Sequence, residues 1–274
     1  MLSADMAPGW DCHVHVFDGL AKVATGHYVP QHYLPQFHPL EAIEALAQSH
    51  GCGHLVLVQP SVYGTDNTVL LNALRVQPGR HRGVVVVDSS VSDAELATMH
   101  SLGVRGVRFN LVSPAGNSGN LAADFAKLAP RLHALGWHVQ WYARPGDLPT
   151  IAALHLATPA PAVLDHLAGL HANLAIDRVV WQALDKLAGR GAWVKLSGWY
   201  RLQADAPYTA LDRNIARVAR LFAGRMVWGS DWPHTSFAAD AMPGYASTLE
   251  PVSRVLSEAQ KIYTLTQAPA RLYG

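Results

Sequence analysis

The sequence is poor in charge and almost balanced in it. Only 15% of its 274 residues are charged, 21 Lys and Arg against 20 Asp and Glu, and the net charge is +1 with His neutral. Without a basic excess the chain lacks the electrostatic footprint of a protein that binds nucleic acid or an anionic membrane. Its two cysteines, Cys12 and Cys52, are too few for a disulfide framework. No apolar run approaches the roughly 18 residues of a membrane span, and Met1 to Trp10 lacks the regions of a secretory leader. No Gly-x-Gly-x-x-Gly or Walker A pattern opens a helix, which argues against a doubly wound open sheet. Ser/Gly linkers, charge blocks and repeats are missing too. Residues 1–274 are therefore expected to form one soluble, cytoplasmic domain, a monomer or homodimer.

What is present is apolar: hydrophobic residues make up 50% of the chain. Short Val-rich runs predict strands at 11–16, 54–59, 81–87, 104–109, 137–142, 162–166, 192–197 and 226–231. Several are near-continuous apolar runs, as strands buried on both faces should be. Helical patterns lie between them. Residues 39–47 put Leu40, Ile43 and Ala47 on one face, with Gly51 beyond the end. Residues 66–75 group Val69, Leu70 and Leu74. Ser92 and Glu95 form a capping-box pattern. Further helices are predicted at 121–135, 148–157, 176–187, 208–222 and 248–266, with a polar end after Pro269. Eight strands alternating with helices predict an α/β fold, a single, slightly distorted (β/α)8 TIM barrel. The longest interval without a predicted strand, 17–53, reads as a loop over the barrel mouth, and 233–243 as a second lid.

In such a barrel the active site lies at the C-terminal strand ends, and reactive side chains gather there. The first strand carries His13 and His15, two residues apart and so on one face. Cys12, just before His13, is expected to face away as a buried thiol. The second strand runs into Ser61, Tyr63 and Asp66. The fourth ends with Arg108 and Asn110, and the fifth carries Gln140 and Tyr142. The sixth ends in Asp165-His166. The seventh runs into Lys195, Ser197, Tyr200 and Arg201. The eighth ends in Asp231, with His234 just beyond. Lys195 reads as a pairing residue rather than a Schiff-base lysine. His27, His32 and His38 read as surface or lid residues.

Taken together, the His-x-His start, VQPSVYGTDN, GVRGVRFNLV, GWHVQWY, VLDH, WVKLSGWYR and VWGSDWPH resemble the amidohydrolase superfamily. Within it they resemble the branch containing 2-pyrone-4,6-dicarboxylate lactonase and other sugar- and muconolactone-acting enzymes. The resemblance implies that His13, His15 and His166 surround and polarise a scissile carbonyl, with Asp231 as general base toward water. It implies that Arg108 and Arg201 bind substrate carboxylates as forks, and that Ser61, Tyr33, Tyr142 and His234 complete the substrate site. The substrate so implied is a small anionic lactone, opened by hydrolysis.

Each role has a structural competitor. Asp231 can cap a turn, and His166 can be a backbone-bonded core residue. Arg108 can pair with a carboxylate such as Asp88, and Tyr33 and Tyr142 can simply pack. The pattern also admits a mononuclear zinc on His13, His15 and Asp231. A binuclear centre is disfavoured because Arg108, Gln140 and Tyr142 stand where the resemblance would require metal ligands, so no essential metal is expected. Relative to the dicarboxylate lactonase pattern, 110–116 has no cation, Ala168-Gly169-Leu170 follows the Asp-His pair, and His234 stands where an amide is usual. Fewer cations suit a less charged substrate. Rival readings are a zinc-dependent decarboxylase or amide hydrolase, a lactone isomerase, and a non-catalytic binding barrel.

Overall fold

A computed structural model describes residues 7–18, 36–113, 119–173, 177–235, 237 and 241–274. The barrel strands are β1 (Gly9–Val14), β4 (Cys52–Val58), β5 (Arg82–Val85), β6 (Val104–Asn110), β7 (His138–Tyr142), β8 (Ala162–Leu164), β9 (Trp193–Leu196) and β10 (Met226–Trp228), parallel and in chain order around the sheet. Closure between β10 and β1 rests on a single bridge, Val14 to Trp232, with Asp231 N–H donating to His13 O at 2.9 Å and His15 N–H to Trp232 O at 2.9 Å. Gly229 permits that approach, since a Cβ there would lie 2.5 Å from the His13 Cβ.

The interval 17–53 is not free of strands, as the sequence suggested. Phe17–Asp18 (β2) and Phe37–His38 (β3) pair antiparallel, and Tyr63 Oη ties β2 down by donating to Asp18 at 3.0 Å. His38 is half-buried, edge-on to Trp232. The outer helices are α1 (Leu40–Ser49), α2 (Thr68–Val76), α3 (Asp93–Ser101), α4 (Leu121–Ala134), α5 (Leu148–Leu156), α6 (Arg178–Gly189), α7 (Asp212–Leu221), α8 (Glu250–Val255), α9 (Glu258–Leu265) and α10 (Gln267–Tyr273). The expected capping box of α3 is present. The span 248–266 is not one helix: α8 stops before Ser257, which caps α9 in a second capping box with Gln260.

Alternation explains the continuous apolar runs. Leu55, Leu57, Val85, Val107, Val139, Leu164, Val194 and Leu196 face outward and pack with the helices. Val56, Val58, Val84, Val163 and Val227 point inward and form a second cluster with Trp10, Cys12 and Trp193. Cys12 therefore lies on the inner side with the histidines, contrary to expectation. Between Asp11 and Val14 three steps of β1 oppose two of β4, and such a bulge breaks strict alternation. The chain end is not a polar tail either. Tyr273 of α10 is fully buried beneath the barrel, stacked near Trp10 and edge-on to His138.

The upper interior is polar: Arg108, Gln140, Asp165 and Lys195 occupy the inward positions above the valines and are all buried. Burial holds His138 neutral with a pKa lowered to about 3, and His155 and His166 to about 4. A histidine depressed in the folded state contributes stability that is complete above its unfolded value near 6.5 and is lost as pH falls toward its folded value. Stability should therefore drop between pH 6.5 and 4. At pH 5 the loss is on the order of 2 kcal/mol for each of these histidines. Urea denaturation at pH 7 and pH 5 checks this; equal midpoints would contradict it.

Candidate active site

The strand-end residues meet around one carboxylate. Asp231 follows β10 with φ 63°, a left-handed conformation that turns its side chain back over the barrel mouth. Its Oδ1 lies 3.6 Å from His13 Nε2, 3.6 Å from His15 Nε2 and 4.0 Å from His166 Nε2. Its Oδ2 accepts hydrogen bonds from Tyr200 Oη at 2.6 Å and Arg201 Nε at 2.7 Å. Burial alone would raise the Asp231 carboxyl, but the Arg201 guanidinium beside it holds it well below the usual carboxylate range.

Each imidazole is anchored through Nδ1. His15 Nδ1 contacts the Val58 carbonyl at 2.8 Å. A carbonyl only accepts, so this nitrogen carries the proton, and Nε2 is the atom turned toward Asp231. His166 Nδ1 bonds Ser197 Oγ at 3.0 Å, and His13 Nδ1 lies 3.4 Å from Asp165 Oδ1. His166 sits where β8 breaks into consecutive left-handed residues, φ 48°, 52° and 57° at His166, Leu167 and Ala168. Such backbone is strained for non-glycine residues and recurs at functional sites.

Gly198 makes room for that turn. A Cβ at Gly198 would lie 2.3 Å from His166 Nδ1, and its own φ is +58°. Gly198→Ala is therefore expected to push the His166 ring aside and lower kcat by roughly 10²-fold, the scale of an ångström's misplacement. Steady-state kinetics beside a thermal melt checks this, and unchanged kcat would count against a role for the His166 position.

Beneath His13 lies a second carboxylate whose importance the sequence did not reveal. Asp165 accepts from Arg108 Nε at 3.0 Å and Gln140 Nε2 at 3.1 Å, and Lys195 Nζ is 3.6 Å away. Burial opposes its ionisation, yet His13, Lys195 and Arg108 hold it well below the usual range. Burial lowers Lys195 to about 8 against the pull of Asp165. The Arg108 partner is thus Asp165 and not Asp88, which is exposed and bonds Ser90. Tyr142 stands edge-on to His166 with the Arg108 guanidinium 5.1 Å from its ring centre. Ser61 Oγ accepts from Ser113 Oγ at 3.1 Å, linking the loops after β4 and β6. His234 lies buried against the Tyr200 ring. Tyr33 lies outside the described residues. Tyr200, given no role from sequence, makes the shortest contact to Asp231.

The donor chemistry suits a divalent cation. His13 Nε2 and Asp231 Oδ1 are buried without hydrogen-bond partners among the described residues. With His15 they form one set whose ligand atoms lie within 4.8 Å of one another. Electron-rich atoms facing each other in a buried space call for a proton or a metal between them. A second set, His13, Asp165 and His166, fits less well because Arg108 and Lys195 already balance Asp165.

A closed parallel barrel with ionised carboxylate and imidazoles at its C-terminal mouth defines a barrel hydrolase. Residues 10–274 match the amidohydrolase family, and the chain belongs to that family. It is 31% identical to a 2-pyrone-4,6-dicarboxylate hydrolase of Comamonas testosteroni over 96% of this chain and 89% of that one. It is 30% identical to a 4-sulfomuconolactone hydrolase of Rhizobium radiobacter over 97% and 89%. Among solved structures it superposes with TM-score 0.85 on an Acinetobacter baumannii protein provisionally assigned as a 2-pyrone-4,6-dicarboxylic acid hydrolase, determined with citric acid bound, at 27% identity over 98% and 100% of the two chains. Among the described residues no helix is long and apolar enough to cross a membrane.

Proposed function

We propose that the protein hydrolyses a carboxylate-bearing lactone, with Asp231 as general base. The observation that carries this is the asymmetry of Asp231: Oδ2 is clamped by Tyr200 and Arg201, while Oδ1 faces three imidazole nitrogens. A water placed there gives its proton to Oδ1 as its oxygen attacks the lactone carbonyl. The acyl carbon–oxygen bond of the ring then breaks, and the ring oxygen leaves as a hydroxyl by taking up the proton held on Asp231, which regenerates the base. His166, whose Nδ1 can accept from Ser197 Oγ and so leave the proton on Nε2, faces the carbonyl oxygen and stabilises its developing charge, usually the largest catalytic contribution; His13 joins it when Nε2 carries a proton, since its Nδ1 faces the Asp165 carboxylate. His15 joins them only when Nε2 carries a proton, because Val58 fixes its Nδ1–H.

Arg201 stands beside the base and binds the substrate carboxylate there, with Arg108, Tyr142, Ser61 and His234 around the bound molecule. The sulfonate- and carboxylate-bearing substrates named for the relatives, and the citric acid of the Acinetobacter structure, support an anionic ligand. A metal on His13, His15 and Asp231 would polarise the carbonyl and acidify a bound water.

A panel of lactones, followed by NMR in the presence and absence of a chelator, tests the proposal. The expected products are ring-opened hydroxy acids, and the chelated enzyme is expected to keep its rate within about threefold, as imidazole donors alone suffice to polarise the carbonyl. A large loss restored by zinc would transfer that role to the metal. A rearranged lactone as product would make the enzyme an isomerase, and inertness toward every lactone would end the reading.

A further inference from the structure

His234 is buried, 2% exposed, yet among the described residues neither ring nitrogen has a hydrogen-bond partner. Its backbone is left-handed, φ 59°, held by His234 N–H donating to Asp231 O at 3.1 Å and Phe237 N–H to His234 O at 3.0 Å. The ring stands edge-on to Tyr200, centroids 5.7 Å apart, and Tyr200 is the residue that clamps Asp231. A polar ring held in a strained turn beside the base, with both hydrogen-bonding atoms unmet, is arranged for a ligand.

The kind of ligand follows from the two unmet ring nitrogens. Each nitrogen of an imidazole is a donor or an acceptor according to where the proton sits. A carboxylate, an acceptor only, can meet an N–H and is repelled by a lone pair. A hydroxyl both donates and accepts, and so can meet either nitrogen. Building on the lactonase reading above, we propose that His234 recognises a hydroxyl group on the lactone ring, which makes the preferred substrate a polyhydroxy-acid lactone rather than a hydroxyl-free pyrone or butenolide.

Two probes separate the possibilities: the 1,4-lactone of a five-carbon aldaric acid, and 5-oxotetrahydrofuran-2-carboxylate, which has the same ring and carboxylate without ring hydroxyls. Wild type is expected to favour the hydroxylated lactone in kcat/KM by about tenfold or more, since a site built to bond a hydroxyl discriminates strongly against its absence. His234→Gly, which accepts the left-handed backbone without strain, should erase that preference through the hydroxylated lactone alone. Added imidazole should restore it, and His234→Asn, with an amide donor and acceptor, should retain part of it. Equal losses on both lactones, no loss on either, or a wild type that prefers the hydroxyl-free lactone overturns the inference while leaving the lactonase reading intact. A wild type that opens neither lactone overturns both.

Discussion

Asp231→Asn is expected to lower kcat by roughly 10³-fold with a native-like thermal melt and little change in the affinity of a carboxylate inhibitor, in line with the 10²–10⁴ typical of a lost general base. The substitution isolates the base unusually well. The amide oxygen can occupy the Oδ2 position and still accept from Tyr200 and Arg201, whose bonds are 2.6 and 2.7 Å in the native protein. The amide nitrogen then faces the three imidazole Nε2 atoms. The clamp by Tyr200 and Arg201 survives, and only the capacity to take a proton is gone. Retention of more than about a tenth of kcat would remove Asp231 from the role of base. Loss of inhibitor affinity along with kcat would mean that Arg201 had moved.

Much of this centre was legible in the chain. His13, His15, His166 and Asp231 come from three separate segments, yet each sits where a Val-rich run ends, and in a parallel barrel those ends converge. Position along a strand predicts height in the barrel and parity predicts direction. Parity also contained the signal that was missed: Asp165 follows Val163 by two, so it points inward, at the level where Arg108, Gln140 and Lys195 also point inward. Two buried cations and one carboxylate in the same interior require each other, which identifies the Arg108 partner more reliably than any motif. Other features had no local signal. The β1 bulge that brings Cys12 inward depends on register with β4. The burial of Tyr273 depends on a barrel floor assembled from strands far away in sequence. The contact of Tyr200 with Asp231 is made by a short helical turn after β9, where no periodicity constrains direction.

The buried network beneath the site yields the second large effect. Asp165→Asn removes the charge that balances Arg108 at 3.0 Å and Lys195 at 3.6 Å, leaving two cations in an interior with no other carboxylate within ion-pair distance of them among the described residues. Breaking a buried pair in this way costs about 3–5 kcal/mol, which for a chain of this size lowers Tm by roughly 10 °C. Catalysis should suffer separately, since His13 Nδ1 loses the anion 3.4 Å away that holds its ring. The double variant Asp165→Asn/Lys195→Met separates the two consequences. Removing one stranded cation is expected to return a third or more of the lost stability, as apolar replacement of buried charge generally does, while kcat stays low because the ring is still unsupported. If kcat recovers with Tm, Asp165 serves only to neutralise the interior. If neither recovers, Arg108 rather than Lys195 is the cation that Asp165 balances, consistent with its shorter contact, and Arg108→Met becomes the substitution that restores the melt.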